Sequence, residues 1–221
     1  YMLGDYLLKL ARLVILLMVW RSLAVQGANL GEFSLQQLLA YTLLASIFSE
    51  QLNVITPATT AFWEGALISR YLRPLPILAE TVGSWLPGLL LYSAPMLLLS
   101  PFIGLSVGIP LIDHGAPFLL SLLLSIMLGF ALDFLFAALV IRLKNANYAA
   151  YSIRQAITKL FSGAVIPFAL LPWGVGNILE RLPFASLASA PLLIFVGLGD
   201  PGALIGDQLF WNIVLWPLAL F

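Results

Sequence analysis

The chain contains no cysteine and a single histidine among its 221 residues. Disulfide bonds, thiolate metal sites and cysteine nucleophiles are therefore excluded. Ten basic residues balance ten acidic ones, so the formal net charge is zero. A chain without excess positive charge has no electrostatic footprint for nucleic acid, and we expect no nucleic-acid partner.

Charge of either sign is scarce. Only 9% of the residues are Asp, Glu, Lys or Arg, whereas 62% are hydrophobic. Residues 81–112, 160–179 and 208–221 carry no charge, and residues 114–132 carry none apart from His114. A soluble domain of this length needs far more polar surface, so the composition predicts an integral membrane protein.

The length allows about six transmembrane helices, at about 20 apolar residues for each crossing. We expect one all-α membrane domain over residues 1–221, with Ser34 as the N-cap of the second helix. The chain starts at Tyr1 and stops inside an apolar run, so we expect both ends to be trimmed. The predicted spans are residues 3–25, 35–56, 82–105, 116–141, 155–173 and 205–221.

The positions of the basic residues predict the orientation. Basic residues accumulate on the cytoplasmic side of a membrane protein. With both termini in the cytoplasm, the outer side keeps Arg181 and Arg21, and the inner side receives most of the others. These inner residues are Lys9, Arg70, Arg73, Arg142, Lys144, Arg154 and Lys159.

Two connections are too long to be simple turns. In the inner segment 57–80, Arg70 and Arg73 share one helix face, and Pro74 marks a boundary, so we expect a short amphipathic helix at the membrane surface. In the outer segment 174–204, the apolar run 184–196 is interrupted by Pro191 and is too short to cross. It predicts a re-entrant helical hairpin covered by protein or water.

Asp133 is a charged residue about 13 Å inside the fourth predicted helix, counted back from Arg142. On a lipid-facing surface its carboxylate costs about 2.5–3.5 kcal/mol, so it should face protein or water. No other charged residue lies in that predicted helix. It can line a substrate path, carry a proton or bond a neighbouring helix, and we favour the last of these structural roles.

A second group of charges lies near the amino terminus. Asp5, Lys9 and Arg12 are spaced by four and three residues and therefore form one helical stripe that can neutralise itself. We expect this stripe to line the translocation path or to pack against a partner.

No catalytic or metal site is predicted. His114 lies beside Asp113 in a short turn, and no further ligands converge there. The sequence suggests no Ser/His/Asp arrangement and no pair of intramembrane carboxylates. We therefore expect a protein that is not an enzyme.

Short motifs along most of the chain resemble one family. They are Trp63-Glu64-Gly65 followed by Arg70-Tyr71-Leu72-Arg73-Pro74-Leu75, Tyr41 in the second helix, Gly163, Pro167 and Pro172-Trp173 in the fifth, and Leu182-Pro183-Phe184 with Pro191. This combination resembles the permease subunits of the type-2 exporter class of bacterial ABC transporters, which export drugs, lipids, polysaccharides and peptides.

The resemblance implies a six-helix permease in the cell membrane that pairs with a second, identical or homologous permease and with two cytoplasmic ATP-binding subunits. It implies coupling to the ATPase through Trp63, Glu64, Gly65, Arg70, Arg73 and Pro74. It implies an outer re-entrant region containing Pro172, Trp173, Glu180, Arg181, Pro183 and Pro191.

The sequence has no phosphate-binding loop before any of its lysines 9, 144 and 159. We therefore expect ATP and Mg to bind the partner ATPase and no cofactor to bind this chain. Two alternatives stay open, a secondary transporter that couples protons through Asp133 and a structural membrane subunit. An apolar path suits drugs, lipids and peptides alike, so the sequence leaves the substrate open.

Overall fold

A computed structural model describes residues 2–56, 77–107, 115–142 and 147–220. This part is helical and has no strand, which confirms the all-α prediction for the described residues. Its α-helices are α1 Met2–Val25, α2 Leu35–Ile47, α3 Ile77–Val107, α4 Gly115–Arg142, α5 Asn147–Phe161, α6 Val175–Leu179, α7 Ala185–Val196 and α8 Pro201–Leu220.

Four of the predicted helices are confirmed as helices, with ends that differ by at most five residues. They are α1, α3, α4 and α8. Asp200 caps α8, because its side chain accepts the backbone N–H groups of Gly202 and Ala203, both at 3.2 Å. Among the described residues, α4 is the one helix that is long and apolar enough to cross a membrane, over Gly115–Leu139, so six crossings stay a prediction.

Helix α2 is shorter than predicted. It begins at the expected cap, where Ser34 and Gln37 form a reciprocal capping box. It ends at Ile47 rather than near residue 56, and turns follow. The chain leaves the helix because Val54 and Thr56 contact α4, so tertiary packing overrides local helix propensity there.

The fifth predicted span, residues 155–173, is wrong as a continuous helix. Helix α5 ends at Phe161, and two 3-10 turns, Phe168–Leu170 and Pro172–Gly174, follow an irregular stretch. Gly163 has φ +74°, a left-handed conformation that ends the helix, and the Ser162 carbonyl accepts the N–H of Ser189 at 3.0 Å. The prolines in this stretch also cannot donate helical hydrogen bonds.

Helix α7 runs without interruption through Pro191, so the predicted break is wrong. A proline leaves the carbonyl four residues earlier without its helical donor, which here is the carbonyl of Leu187. The hydroxyl of Ser125 on α4 donates to that carbonyl. The helix is therefore held by a neighbour at the point where it loses its own bond, and almost all of its residues are buried.

Helix α4 packs against α7 and α8, and more weakly against α5. Helix α2 packs against α1, α3 and α7. Polar side chains of α8 bind carbonyl groups in the interior: Gln208 donates to the carbonyls of Ser121 and Ser186, and Asn212 donates to that of Leu124. Large apolar side chains cover the outside, including Leu8, Ile15, Leu98, Phe102, Leu105, Leu119 and Ile213.

Candidate functional site

A cavity of about 250 Å³ lies between α1, α2 with the segment that follows it, and α5. Its charged lining residues are Lys9, Arg12, Glu50 and Lys159. On α5, residues 155, 158 and 159 line the cavity with the spacing of a single helix face, and residue 162 follows directly after the helix. The same spacing brings Lys9, Arg12 and Leu16 of α1 to the cavity, while Leu13, Leu17 and Trp20 are buried in the core.

The charges in the cavity pair differently from the prediction. The Lys9 ammonium donates to the Glu50 carboxylate at 2.6 Å. Lys9 of α1 is therefore neutralised by the turn that follows α2, and the predicted self-neutralising stripe with Asp5 is wrong at Lys9. Within the described residues, Arg12 and Lys159 form no ion pair. The cavity thus contains three cations and one carboxylate.

A buried ion pair lies next to this cavity. Asp133 on α4 accepts a hydrogen bond from the guanidinium of Arg154 on α5. Its second carboxylate oxygen accepts the backbone N–H of Thr56 at 3.1 Å and the hydroxyl of the same residue. Arg154 also donates to the carbonyl of Val54, and both charged side chains are almost completely buried.

This pair confirms that Asp133 faces protein, and Arg154 is a partner on a neighbouring helix, as the favoured structural role expects. One expectation is corrected: Arg154 is buried against Asp133 rather than exposed as an inner-surface charge. One sequence signal could have found the partner. Asp133 lies nine residues before the end of α4, and Arg154 lies seven residues after the start of α5, so the two residues reach similar depths in antiparallel neighbouring helices.

The ion pair fixes the segment that leads into the predicted coupling region. Residues 54 and 56 bind the pair, while the alternate residues 53 and 55 line the cavity. Asn53 also donates to the side-chain oxygen of Gln155 on α5 at 3.3 Å. The predicted coupling residues themselves, between Trp63 and Pro74, lie outside the described residues.

A second cavity of about 290 Å³ lies among the α1–α2 loop, the 3-10 turns, α7 and α8. Its lining includes three carboxylates, those of Glu32, Glu180 and Asp207. Partial burial of Glu180, together with the negative charge of Glu32, raises the pKa of the Glu180 carboxyl. Among the described residues, no group of three or more His, Asp or Glu is placed to hold a metal ion.

The predicted outer residues share one region but not one environment. Pro172, Trp173 and Arg181 are exposed, Glu180 lines the acidic cavity, and Pro191 is buried inside α7. Pro183 is half-buried in the turn before α7.

No known protein matches. This holds for protein-family models, for curated proteins and for solved structures.

Tyr41 connects α2 to the irregular stretch after α5. Its hydroxyl donates to the carbonyl of Gly163 at 2.8 Å, and its ring meets that of Phe33 edge-to-face at 5.8 Å between centroids. A Cβ at Gly163 would lie 3.1 Å from the Phe168 ring and 3.2 Å from the Cβ of Ser189. A glycine at this position therefore satisfies both the left-handed backbone and the close packing.

Proposed function

We propose that this chain is the membrane-spanning permease subunit of an ATP-driven exporter. The observation that carries the proposal is a cation-rich cavity, with three cations and one carboxylate, inside a helical bundle whose outer surface is apolar. A translocating protein needs a polar interior path, and a bilayer favours an apolar exterior.

The apolar exterior supports a position in the bilayer. Leu98, Phe102 and Leu105 of α3 are each more than 70% exposed. Soluble monomers rarely expose contiguous apolar patches of this kind. Helices α1, α3, α4 and α8 each have 20 residues or more, the length of one crossing, and among the described residues α4 is the one that is also apolar enough to cross.

The positions of the two cavities support a chain whose helices cross the membrane in alternating directions. The first cavity joins the start of α1, the end of α2 and α5, whereas the second joins the α1–α2 loop, residues 167–199 and the first half of α8. In the proposed topology the first group is cytoplasmic and the second is external. Six crossings follow when α2 with residues 48–56 and α5 with its irregular extension each count as one.

The site next to the inner loop supports coupling to an ATPase. The chain has no phosphate-binding loop, so its energy must come through contact with another subunit. Residues 57–76 directly follow Thr56, whose backbone N–H donates to Asp133 of α4, and Asp133 in turn pairs with Arg154 of α5. A movement of that segment would therefore be transmitted to these two helices.

The ion pair also bears on the alternative of proton coupling. Asp133 is fully buried and its oxygens already accept bonds from Arg154 and Thr56. A proton carrier needs access to water, so this environment favours a structural role for the carboxylate.

The proposal is tested by isolating the tagged full chain from its native membranes in mild detergent. We expect an ATP-hydrolysing subunit to be isolated with it in stoichiometric amount, together with a second permease chain. Isolation of the membrane chain without any nucleotide-binding protein would favour the secondary-transporter or structural alternatives.

A further inference from the structure

We propose that the cation-rich cavity binds the anionic head group of an amphipathic substrate, held chiefly by Arg12 and Lys159. This inference rests on the proposed export function and specifies its substrate class. Of the three cations that line the cavity, Lys9 is paired with Glu50, whereas Arg12 and Lys159 have no ion-pair partner among the described residues. A cavity with two unbalanced positive charges favours an anionic occupant.

The lining of the cavity is also apolar in part. Leu16 of α1, Leu52 and Ile55 after α2, and Ala164 and Val165 after α5 line it together with the charged residues. An occupant with an anionic group beside Arg12 and Lys159 would have its apolar portion against these side chains.

The size of the cavity fits a head group rather than a whole lipid. A volume of about 250 Å³ corresponds to several waters at roughly 30 Å³ each. Phosphate or carboxylate groups are small enough to enter, and Arg12 can bind two of their oxygens at once. The remaining length of such a molecule would extend out of the cavity along the apolar helices.

The test measures binding to the purified full chain in detergent micelles by native mass spectrometry. The probes share an oleoyl chain and differ in charge: lysophosphatidic acid is anionic and lysophosphatidylcholine is zwitterionic. Inorganic phosphate is the third probe, because a free anion carries the same charged group without an apolar tail. We expect lysophosphatidic acid to bind at least about tenfold more tightly than either of the others, as charge-assisted hydrogen bonds to two cations require.

Three variants make the test specific. Arg12→Gln with Lys159→Gln should weaken lysophosphatidic acid binding about tenfold or more, whereas Arg12→Lys with Lys159→Arg should retain most of it. Arg21→Gln with Arg181→Gln removes the same charge elsewhere and should change nothing. Equal binding of the two lipids, or an unchanged affinity in the Gln variant, would overturn the proposal.

Inorganic phosphate binding as tight as that of lysophosphatidic acid would overturn the amphipathic assignment. The assay needs no ATPase and measures no export. If an ATPase partner is isolated but lysophosphatidic acid does not bind, this inference alone is rejected. If lysophosphatidic acid binds but no ATPase partner is isolated, only the proposed function is rejected.

Discussion

Asp133 and Arg154 neutralise each other where water is excluded, so each charge depends on its partner. Removing one member of a buried pair leaves an uncompensated charge, whereas replacing both with apolar residues is often close to neutral. The bonds to Val54 and Thr56 make the pair a junction of three chain segments.

We predict that Asp133→Leu lowers the free energy of unfolding by about 3–5 kcal/mol, because Arg154 is left buried and unpaired. Asp133→Leu combined with Arg154→Met should recover a large part of that loss. The measurement is an SDS titration of the purified chain in mixed micelles. Strictly additive effects of the two substitutions would show that the side chains are not coupled.

Asp133→Asn separates the structural role from proton coupling. The amide keeps hydrogen bonding to Thr56, so we expect assembly and most transport to be retained. Loss of transport in an assembled Asp133→Asn variant would instead support the proton-coupled alternative.

Glu180 should make stability depend on pH. Its folded pKa lies above the ordinary value of 4.5, so the folded state binds the proton more tightly than the unfolded state does. Its stabilising contribution is complete below the ordinary pKa and is lost as the pH rises through the raised one. We predict that Glu180→Gln removes this loss and that Glu32→Gln reduces it, measured as thermal unfolding midpoints at several pH values. An identical pH profile in the parent and Glu180→Gln would contradict this.

At the scale of helices, the close approach of residues 48–56 to α4 depends on a small residue. A Cβ at Gly129 would lie 2.8 Å from Val54 Cγ2 and 2.9 Å from its Cβ. Contacts this short require a shift of the neighbouring segment, which also carries Thr56.

We predict that Gly129→Ala destabilises the chain by about 1–3 kcal/mol, as overpacking of a core does. Val54→Ala introduced into the same chain should relieve the clash and restore part of the loss. The control is Gly206→Ala, because a Cβ at Gly206 in α8 meets nothing within 4 Å. The three variants are compared by SDS titration. Equal stability of Gly129→Ala and Gly206→Ala would refute the packing argument.

The sequence predicted helices best where predominantly apolar residues extend over about 20 positions, as in α1, α3, α4 and α8. It failed where distant residues decide the backbone. Ser125 completes the hydrogen bonding of α7 around Pro191, and Ser189 binds the Ser162 carbonyl where α5 ends. Neither contact is visible in a local pattern.

The candidate site was predictable in part. Lys9, Arg12 and Asp133 were identified from charges in apolar surroundings, and Lys9 and Arg12 do line the cavity. Glu50, Arg154 and Lys159 were missed as site residues because the sequence pattern assigned them to inner loops and their borders, where a charge is normally solvated. Their roles depend on which helices are neighbours, and helix order in space does not follow from hydropathy.

For the whole molecule, the proposed topology predicts which positions react with an impermeant thiol reagent. Single cysteines can be introduced because the chain has none. We expect Gln26→Cys and Asn177→Cys, both exposed, to be labelled in intact cells. Ser152→Cys, exposed on α5, should be labelled only after permeabilisation. Labelling of Ser152→Cys from outside would invert the topology.

If an ATPase drives this chain through residues 57–76, the ATPase activity isolated with the chain should depend on the side chains of that segment. We predict that Arg70→Glu with Arg73→Glu abolishes the isolated activity while membrane insertion stays near normal, because charge reversal removes pairing to an acidic groove. Arg70→Lys with Arg73→Lys should be milder, since it keeps the charge and loses bidentate geometry. Full ATPase activity recovered with the double Glu variant would contradict the account and leave the two arginines as topology anchors.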